Sequence, residues 1–374
     1  MAVASGLVGS FLLVSSHALT GTAAIEAEAG VRSGTASVIT DTLASGGSAI
    51  KFGSGSGCTV SATLVNSCRP WLGAAVGSYA EVPSDTVSQF TYHEQRIGRK
   101  LDIVHSYHGV GSNTLSTADK TFINRANTML MTNWKPASSW STASGGNATV
   151  NAAIDQMAAS IKSAAPNKVM LSVFHEPEND VSPGGSSTCG SSVTYKGSSG
   201  TTTDYVNMWH NVRSRFEAAG VTNVVWVMNY MGFNTWKCMV KDLWPGNNYV
   251  DWLVWDPYVT SNTDSYSASI NNFYSYLTTS SDASHDFASK PWGLNEWGVF
   301  PGVDQPHAYT AYDNAKAALD SNTFPKLKMF NIFDIVNIDN FQVNYTAAGI
   351  RDDTEQSHYS IFANDPRFTN SFYP

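Results

Sequence analysis

Two glutamates carry the strongest chemical signal in this sequence. In Val169-Met-Leu-Ser-Val-Phe174-His175-Glu176-Pro177 a short apolar run leads straight into His175 and Glu176. Pro177, which lacks a backbone donor and fixes φ, stops that run from continuing as strand or helix. In Pro291-Trp-Gly-Leu-Asn295-Glu296-Trp297-Gly298 a second short run ends on Glu296, and Gly298 signals a loop. Each reads as a buried strand that delivers a carboxylate to a rim. Two carboxylates that meet at one rim suit cleavage of a glycosidic bond. One protonates the departing oxygen while the other attacks the anomeric carbon or activates water. Their separation predicts the outcome: about 5 to 5.5 Å retains configuration and about 6.5 to 9.5 Å inverts it. A single strand-end glutamate is as readily a salt-bridged surface group, but two placed alike and flanked by aromatics are harder to explain that way.

The elements that must position them follow from periodicity. Short apolar runs alternate with helical patterns from Trp71 onward, the sign of a parallel sheet with crossover helices. Eight strands are predicted: 72–76, 101–106, 129–133, 169–174, 224–229, 252–255, 292–296 and 329–333. Helical spacing appears between them, as in Ile154, Met157, Ala158 and Ile161, in Tyr205, Met208, Trp209, Val212 and Phe216, and in Ile270, Phe273, Tyr274 and Leu277. Ser116 and Asp204 are predicted helix starts and Gly220 a stop. Eight such units predict an α/β fold, a (β/α)8 TIM barrel, in which catalytic groups sit at the carboxyl ends of the strands. Glu176 then ends the fourth strand and Glu296 the seventh. An open doubly wound sheet is the rival, but no glycine-rich phosphate loop follows the first strand.

Before the barrel, Gly6 to Val14 is apolar and followed by small residues up to Ala23-Ala24, which predicts a cleaved secretory signal over residues 1–24 even though no Lys or Arg precedes it. Residues 25–57 are rich in Gly, Ser, Ala and Thr and predict a small β-rich segment around a Gly46-Gly47 turn; residues 58–374 form the barrel domain. The segment's Glu26-Ala-Glu28 opening is similar to the first strands of sugar-binding β-sandwich modules, yet it is too short to close a sandwich of about a hundred residues. Four cysteines fit an exported chain with two disulfides, and of three possible pairings Cys58 with Cys68 and Cys189 with Cys238 is favoured. The 14% charged content and net charge of −8 leave no basic footprint for nucleic acid or anionic membrane. Aromatics make up 12%, including 11 Trp and 16 Tyr, which suits a cleft that stacks flat sugar faces. No metal or cofactor is expected, since Cys-x-x-Cys is absent and His175, Glu176 and Glu178 lack ligand spacing.

From about Trp71 to Phe333 the chain resembles the family-26 glycoside hydrolases, retaining enzymes best known as β-mannanases. The matching residues are His175-Glu176, Asn295-Glu296-Trp297-Gly298, and Tyr249-Val-Asp-Trp-Leu-Val-Trp-Asp256-Pro-Tyr258. The resemblance implies Glu176 as general acid/base and Glu296 as nucleophile, with Tyr258 donating toward the nucleophile and His175 and Asp256 lining the subsite where the bond breaks. A tyrosine bond would hold Glu296 ionised, while Glu176 must keep a raised pKa through burial or neighbours. The chain departs from the family where mannanases read Met-Asn-Gly after the acid, since it has Pro177-Glu178-Asn-Asp180. It departs again at Asn331-Ile-Phe333, where a stacking Trp is expected.

His108, Trp134, Trp255, Trp297 and Phe333 complete the candidate substrate contacts, with His105 a weaker one. Glu178 and Asp180 are read as binding backbone or solvent in their loop. The expected activity is endo-β-1,4-mannan hydrolysis by a secreted monomer. β-1,3-Xylan and mixed-linkage β-glucan are alternatives, as are a non-catalytic carbohydrate-binding barrel and an envelope adhesin.

Overall fold

The alternating pattern closes into a barrel of eight parallel strands. The computed structural model describes residues 36–40, 44–52, 58–182, 195, 197–336, 341–343 and 351–369. It divides into two units, Met1–Cys58 and Thr59–Pro374. In the first, β1 (Ala36–Thr40) and β2 (Ser48–Phe52) pair antiparallel, and the turn between them places Gly46 and Gly47 at φ of 71° and 74°, where a side chain would be strained. The predicted leader at 1–24 lies outside the described residues.

In the second unit the strands are β3 (Trp71–Val76), β4 (Ile103–His108), β5 (Met129–Trp134), β6 (Val169–Val173), β7 (Val224–Tyr230) and β8 (Trp252–Trp255), then β10 (Trp292–Leu294) and β12 (Leu327–Asp334). β12 closes the ring on β3, with Met329 opposite Trp71 and Asp334 opposite Val76. A short parallel pair, β9 (Tyr258–Val259) and β11 (Gly298–Val299), lies beyond the ends of β8 and β10. The described helices are α1 (Thr86–Ile97), α2 (Thr117–Ile123), α3 (Ala148–Lys162), α4 (Pro177–Asp180), α5 (Thr202–Ala218), α6 (Tyr266–Ser280), α7 (Gln305–Asp320) and α8 (Asp353–Ala363). Ser116 caps α2 in a capping box with Asp119. At α5 the cap is Thr201 rather than Asp204, because Asp204 is the third helical residue and returns a bond to the cap's own N–H. Gly220, at φ of 67°, follows the end of that helix.

Side chains alternate between the barrel lumen and the layer under the helices, as strand geometry requires. Trp71, Ile103, Met131, Met170, Val225, Val227, Trp252, Val254 and Met329 fill the lumen. Their immediate neighbours, including Leu72, Val104, Leu130, Leu171, Trp226, Leu253 and Trp255, pack outward in the larger core. Each such side chain contributes roughly 1.5 to 3 kcal/mol on burial. The lumen floor is closed by residues 61–65: the Trp71 indole donates to the Leu64 carbonyl at 2.7 Å and the Trp252 indole to the Thr63 carbonyl at 2.6 Å. Filling the floor leaves the opposite, carboxyl end of the strands as the open mouth.

Candidate active site

The turn that carries Glu176 departs from regular strand. β6 ends at Val173, and Phe174 and Glu176 both adopt positive φ, 57° and 50°. Such a conformation costs about 1 to 3 kcal/mol for each non-glycine residue and persists only where the surroundings impose it. Here Phe174 N–H donates to the Trp134 carbonyl at 2.9 Å and Glu176 N–H to the Asn229 carbonyl at 3.0 Å. The Phe174 ring packs edge-on against Trp140, 5.3 Å between centroids. The double reversal breaks the strand alternation, so both His175 and Glu176 line one cavity.

The opposite carboxylate belongs to Glu296, two residues past the end of β10. Tyr107, on β4, donates to Glu296 Oε1 at 2.7 Å and Tyr258, on β9, donates to Oε2 at 2.8 Å. Asp256 accepts Glu296 N–H at 3.0 Å through Oδ1 and the Asn229 amide at 2.9 Å through Oδ2. Beneath them Asn295 donates to Asn229 Oδ1 at 2.7 Å and lies 3.4 Å from His105 Nε2. Asn133 and Asn331 extend this buried polar layer. The cavity above it, about 400 Å³, is lined by Tyr107, His175, Glu176, Glu296, Phe333, Ile335 and Val336. Across Tyr258 a second cavity of about 440 Å³ opens, lined by Phe233, Asn234, Thr260, Asp264, Asn272 and neighbouring residues.

One carboxylate oxygen each from Glu176, Asp256 and Glu296 lies within 4.8 Å of the others. Among the described residues this trio alone has the spacing to hold a metal ion. Its hydrogen bonds describe a carboxyl cluster instead. Burial, then the Glu296 charge, then the Glu178 charge push the Glu176 carboxyl well above its usual range. Burial also raises Glu296, but the Tyr107 and Tyr258 hydroxyls act against it by bonding the charged form. Asp256 is raised well above its range by burial and by both glutamates. Asp256, whose carboxylate lies within 4.8 Å of that of Glu176, acts against the rise in Glu176. Burial and the neighbouring charges thus favour the protonated form of Glu176, while the two tyrosine hydroxyls favour the charged form of Glu296. Burial lowers His175 to about 3 and His105 to about 3, so both imidazoles are neutral at ordinary pH.

The barrel and its mouth can now be set beside known structures. GH26C from Muricauda sp. MAR_2010_75 is similar with a TM-score of 0.56, over 80% of this chain and 86% of that one, at 14% identity. The catalytic domain of a GH26 endo-β-1,4-mannanase from Bacillus sp. JAMB-750 gives 0.53 over 80% and 86%, at 13% identity. A GH26 β-mannanase from Bacteroides ovatus gives 0.52 over 82% and 93%, at 16% identity. The fold is that of the family-26 glycoside hydrolases. Among curated proteins, Endoglucanase H of Acetivibrio thermocellus is 29% identical over 206 residues, 54% of this chain. The chain spans about a fifth of that relative's length, 21%. No family model matches the chain.

Within this family-26 fold the structure brings together Glu176, Glu296, His175, Asp256, Tyr258 and Phe333, while four of the expected contacts lie elsewhere. His108 faces outward and bonds Asp119 of α2 at 2.8 Å. Trp134 is fully buried outside the lumen. Trp255 packs against Phe273 and Trp292, and Trp297 against Tyr266, Tyr312, Tyr359 and Phe362. None of these three tryptophans presents a face to the cavity. Strand alternation supplies the reason: Asn133 and Val254 point into the lumen, so Trp134 and Trp255 cannot. The same rule identifies the residue that was missed. Ile103 and His105 face the lumen, hence Tyr107 does too, and His108 does not. Glu178 binds backbone as expected, accepting from Met231 and Gly232, and Asp180 sits 3.5 Å from Lys135. Cys58 and Cys68 form a disulfide. Cys238 is also disulfide-bonded, and its expected partner Cys189 lies outside the described residues.

Proposed function

We propose that residues 58–374 are the catalytic domain of a secreted, retaining endo-β-glycosidase, with β-1,4-mannan as its first substrate. The observation that supports it best is the approach of Glu176 and Glu296 within 4.8 Å across one cavity, with two tyrosine hydroxyls on Glu296 alone. That approach is in keeping with the short separation of retaining enzymes, about 5 to 5.5 Å between carboxyl groups, rather than the about 6.5 to 9.5 Å of inverting ones.

In this reading Glu296 attacks the anomeric carbon as the bond to the leaving oxygen breaks, and Glu176 gives that oxygen its proton. A water then displaces the glycosyl group from Glu296 while Glu176 takes the proton back. Asp256 accepts the Glu296 N–H and sets its own carboxylate beside that of Glu176. Neutral His175 and the Phe333 ring bound the sugar at the point of cleavage. Everything the chemistry needs comes from one chain, in keeping with a monomer. The leader-like segment at 1–24 and the disulfides support export. Among the described residues no helix is long and apolar enough to cross a membrane.

A mixed-linkage β-glucan is the second substrate reading, favoured by the endoglucanase relative. A panel of soluble mannans, β-1,3-xylan and mixed-linkage glucan, with product sizing, distinguishes them. The mechanism is tested by Glu296→Ala with azide, which is expected to form a glycosyl azide of inverted configuration. Unimpaired hydrolysis by that variant would remove the proposal, and saccharide binding without any release of reducing ends would convert it to a binding protein.

A further inference from the structure

Glu178 lies two residues beyond Glu176, in α4, and is 1% exposed. Among the described residues no cation pairs with it. Its carboxylate instead accepts two backbone donors from the segment after β7: Met231 N–H to Oε2 at 3.0 Å and Gly232 N–H to Oε1 at 3.2 Å. That segment is itself fixed. Gly232 stands at φ of 79°, and a Cβ added there would meet Trp255 and Phe273 at 3.0 to 3.1 Å. Just upstream, Asn229 receives the Glu176 N–H at 3.0 Å. The strained turn carrying Glu176 is therefore tied to the end of β7 on both sides of that residue, once by backbone and once by a buried carboxyl group.

We propose, building on the assignment of Glu176 as proton donor, that Glu178 is its positioning residue: the buried carboxylate fastens the 174–178 turn to the end of β7 and holds the donor against the leaving oxygen. A buried carboxylate without a counter-ion is costly to keep. An amide would fill the same space without that cost, though it could not accept from both N–H groups. The groups facing Glu178 are the Tyr205 and Tyr230 hydroxyls and Glu176 itself. Lys135 is engaged by Asp180. Burial raises the Glu178 carboxyl to about 7, and in its ionised form it acts on Glu176 in the direction that retains the Glu176 proton.

The test uses Glu178→Gln and two substrates of the same sugar sequence. One is an unactivated oligosaccharide, whose departure needs the acid; the other is its dinitrophenyl glycoside, whose departure does not. We expect kcat/KM on the oligosaccharide to fall at least about tenfold, a part of what a general acid supplies. The dinitrophenyl substrate should be nearly unaffected, and the alkaline limb of the oligosaccharide profile should move to lower pH. Glu176→Ala run in parallel separates the two claims. If that variant slows both substrates alike, the assignment of the acid fails; if it spares the activated one and Glu178→Gln slows both equally, or neither, the positioning role fails. Should Glu178→Gln not fold, Glu178→Asp keeps the charge but shortens its reach, and is expected to lose activity on the oligosaccharide alone. Equal loss on both substrates would again overturn the proposal.

Discussion

Tyr107→Phe removes one hydroxyl and nothing else from the mouth of the barrel. That hydroxyl lies 2.7 Å from Glu296 Oε1, while Tyr258 serves the other oxygen at 2.8 Å. A hydrogen bond to a charged group is worth about 1.5 to 3 kcal/mol, and each pKa unit corresponds to about 1.4 kcal/mol. Losing the bond should therefore raise the Glu296 carboxyl by about one to two pH units. The sign follows from its proposed role: a nucleophile must be ionised, so activity is lost as pH falls through its pKa, and a higher pKa moves the acid limb of kcat/KM upward. The plateau should fall as well, by about tenfold to a hundredfold, because the same hydroxyl is placed to orient the attacking oxygen. The measurement is a pH profile of kcat/KM for wild type, Tyr107→Phe and Tyr258→Phe. An acid limb that stays in place in Tyr107→Phe, with Tyr258→Phe behaving differently, would show that Glu296 is not held in its charged form by the pair and would falsify its assignment as nucleophile.

Other outcomes follow from the same geometry. Gly73→Ala should destabilise the fold by about 1 to 3 kcal/mol, because the added Cβ would run into the Asn331 side chain and meet Ile103 at 2.8 Å; a lowered denaturant midpoint at unchanged slope checks this. Asp102→Asn should lower the midpoint by a similar amount, about 1 to 3 kcal/mol, since its carboxylate binds both terminal nitrogens of Arg69 at 2.8 and 2.9 Å and the Leu72 N–H at 3.0 Å. Phe233, 39% exposed, lines the second cavity, and under the proposed function it would stack a sugar beyond the cleavage point. Phe233→Ala should raise KM for long substrates by a few-fold to about tenfold and change the sizes of the products, while leaving disaccharide-length aryl glycosides unaffected.

The barrel was legible because each strand is a short apolar run of the right length. All eight predicted strands end within two residues of the observed ones, and the seventh in order, Trp292–Leu294, stops two residues before Glu296. Both glutamates were legible for the same reason: a carboxylate directly after a buried run has to emerge at the mouth. The aromatic contacts were misjudged because nearness to a strand end was weighed above the side on which a residue falls. Trp134 and Trp255 sit next to the mouth in sequence but on the helix side of the wall, whereas Tyr107 sits on the lumen side. Counting in twos from Ile103, a lumen residue, reaches His105 and then Tyr107, so the signal was present within the strand itself.

Counting in twos fails at one place, the turn that carries Glu176. From Met170 the alternation would carry Phe174 into the lumen and leave His175 outside. The positive φ values at Phe174 and Glu176 reverse that outcome, moving Phe174 against Trp140 and bringing both polar residues to the cavity. Neither residue prefers that backbone, and no glycine marks it. The turn is held by partners distant in sequence, Trp134 and Asn229 through backbone bonds and Met231 and Gly232 through the Glu178 carboxylate. Local propensity therefore yields to tertiary restraint at the residue proposed to deliver the proton, where a strained and over-determined backbone fixes direction more tightly than a relaxed one would. Relaxing the turn should then cost proton transfer before it costs folding.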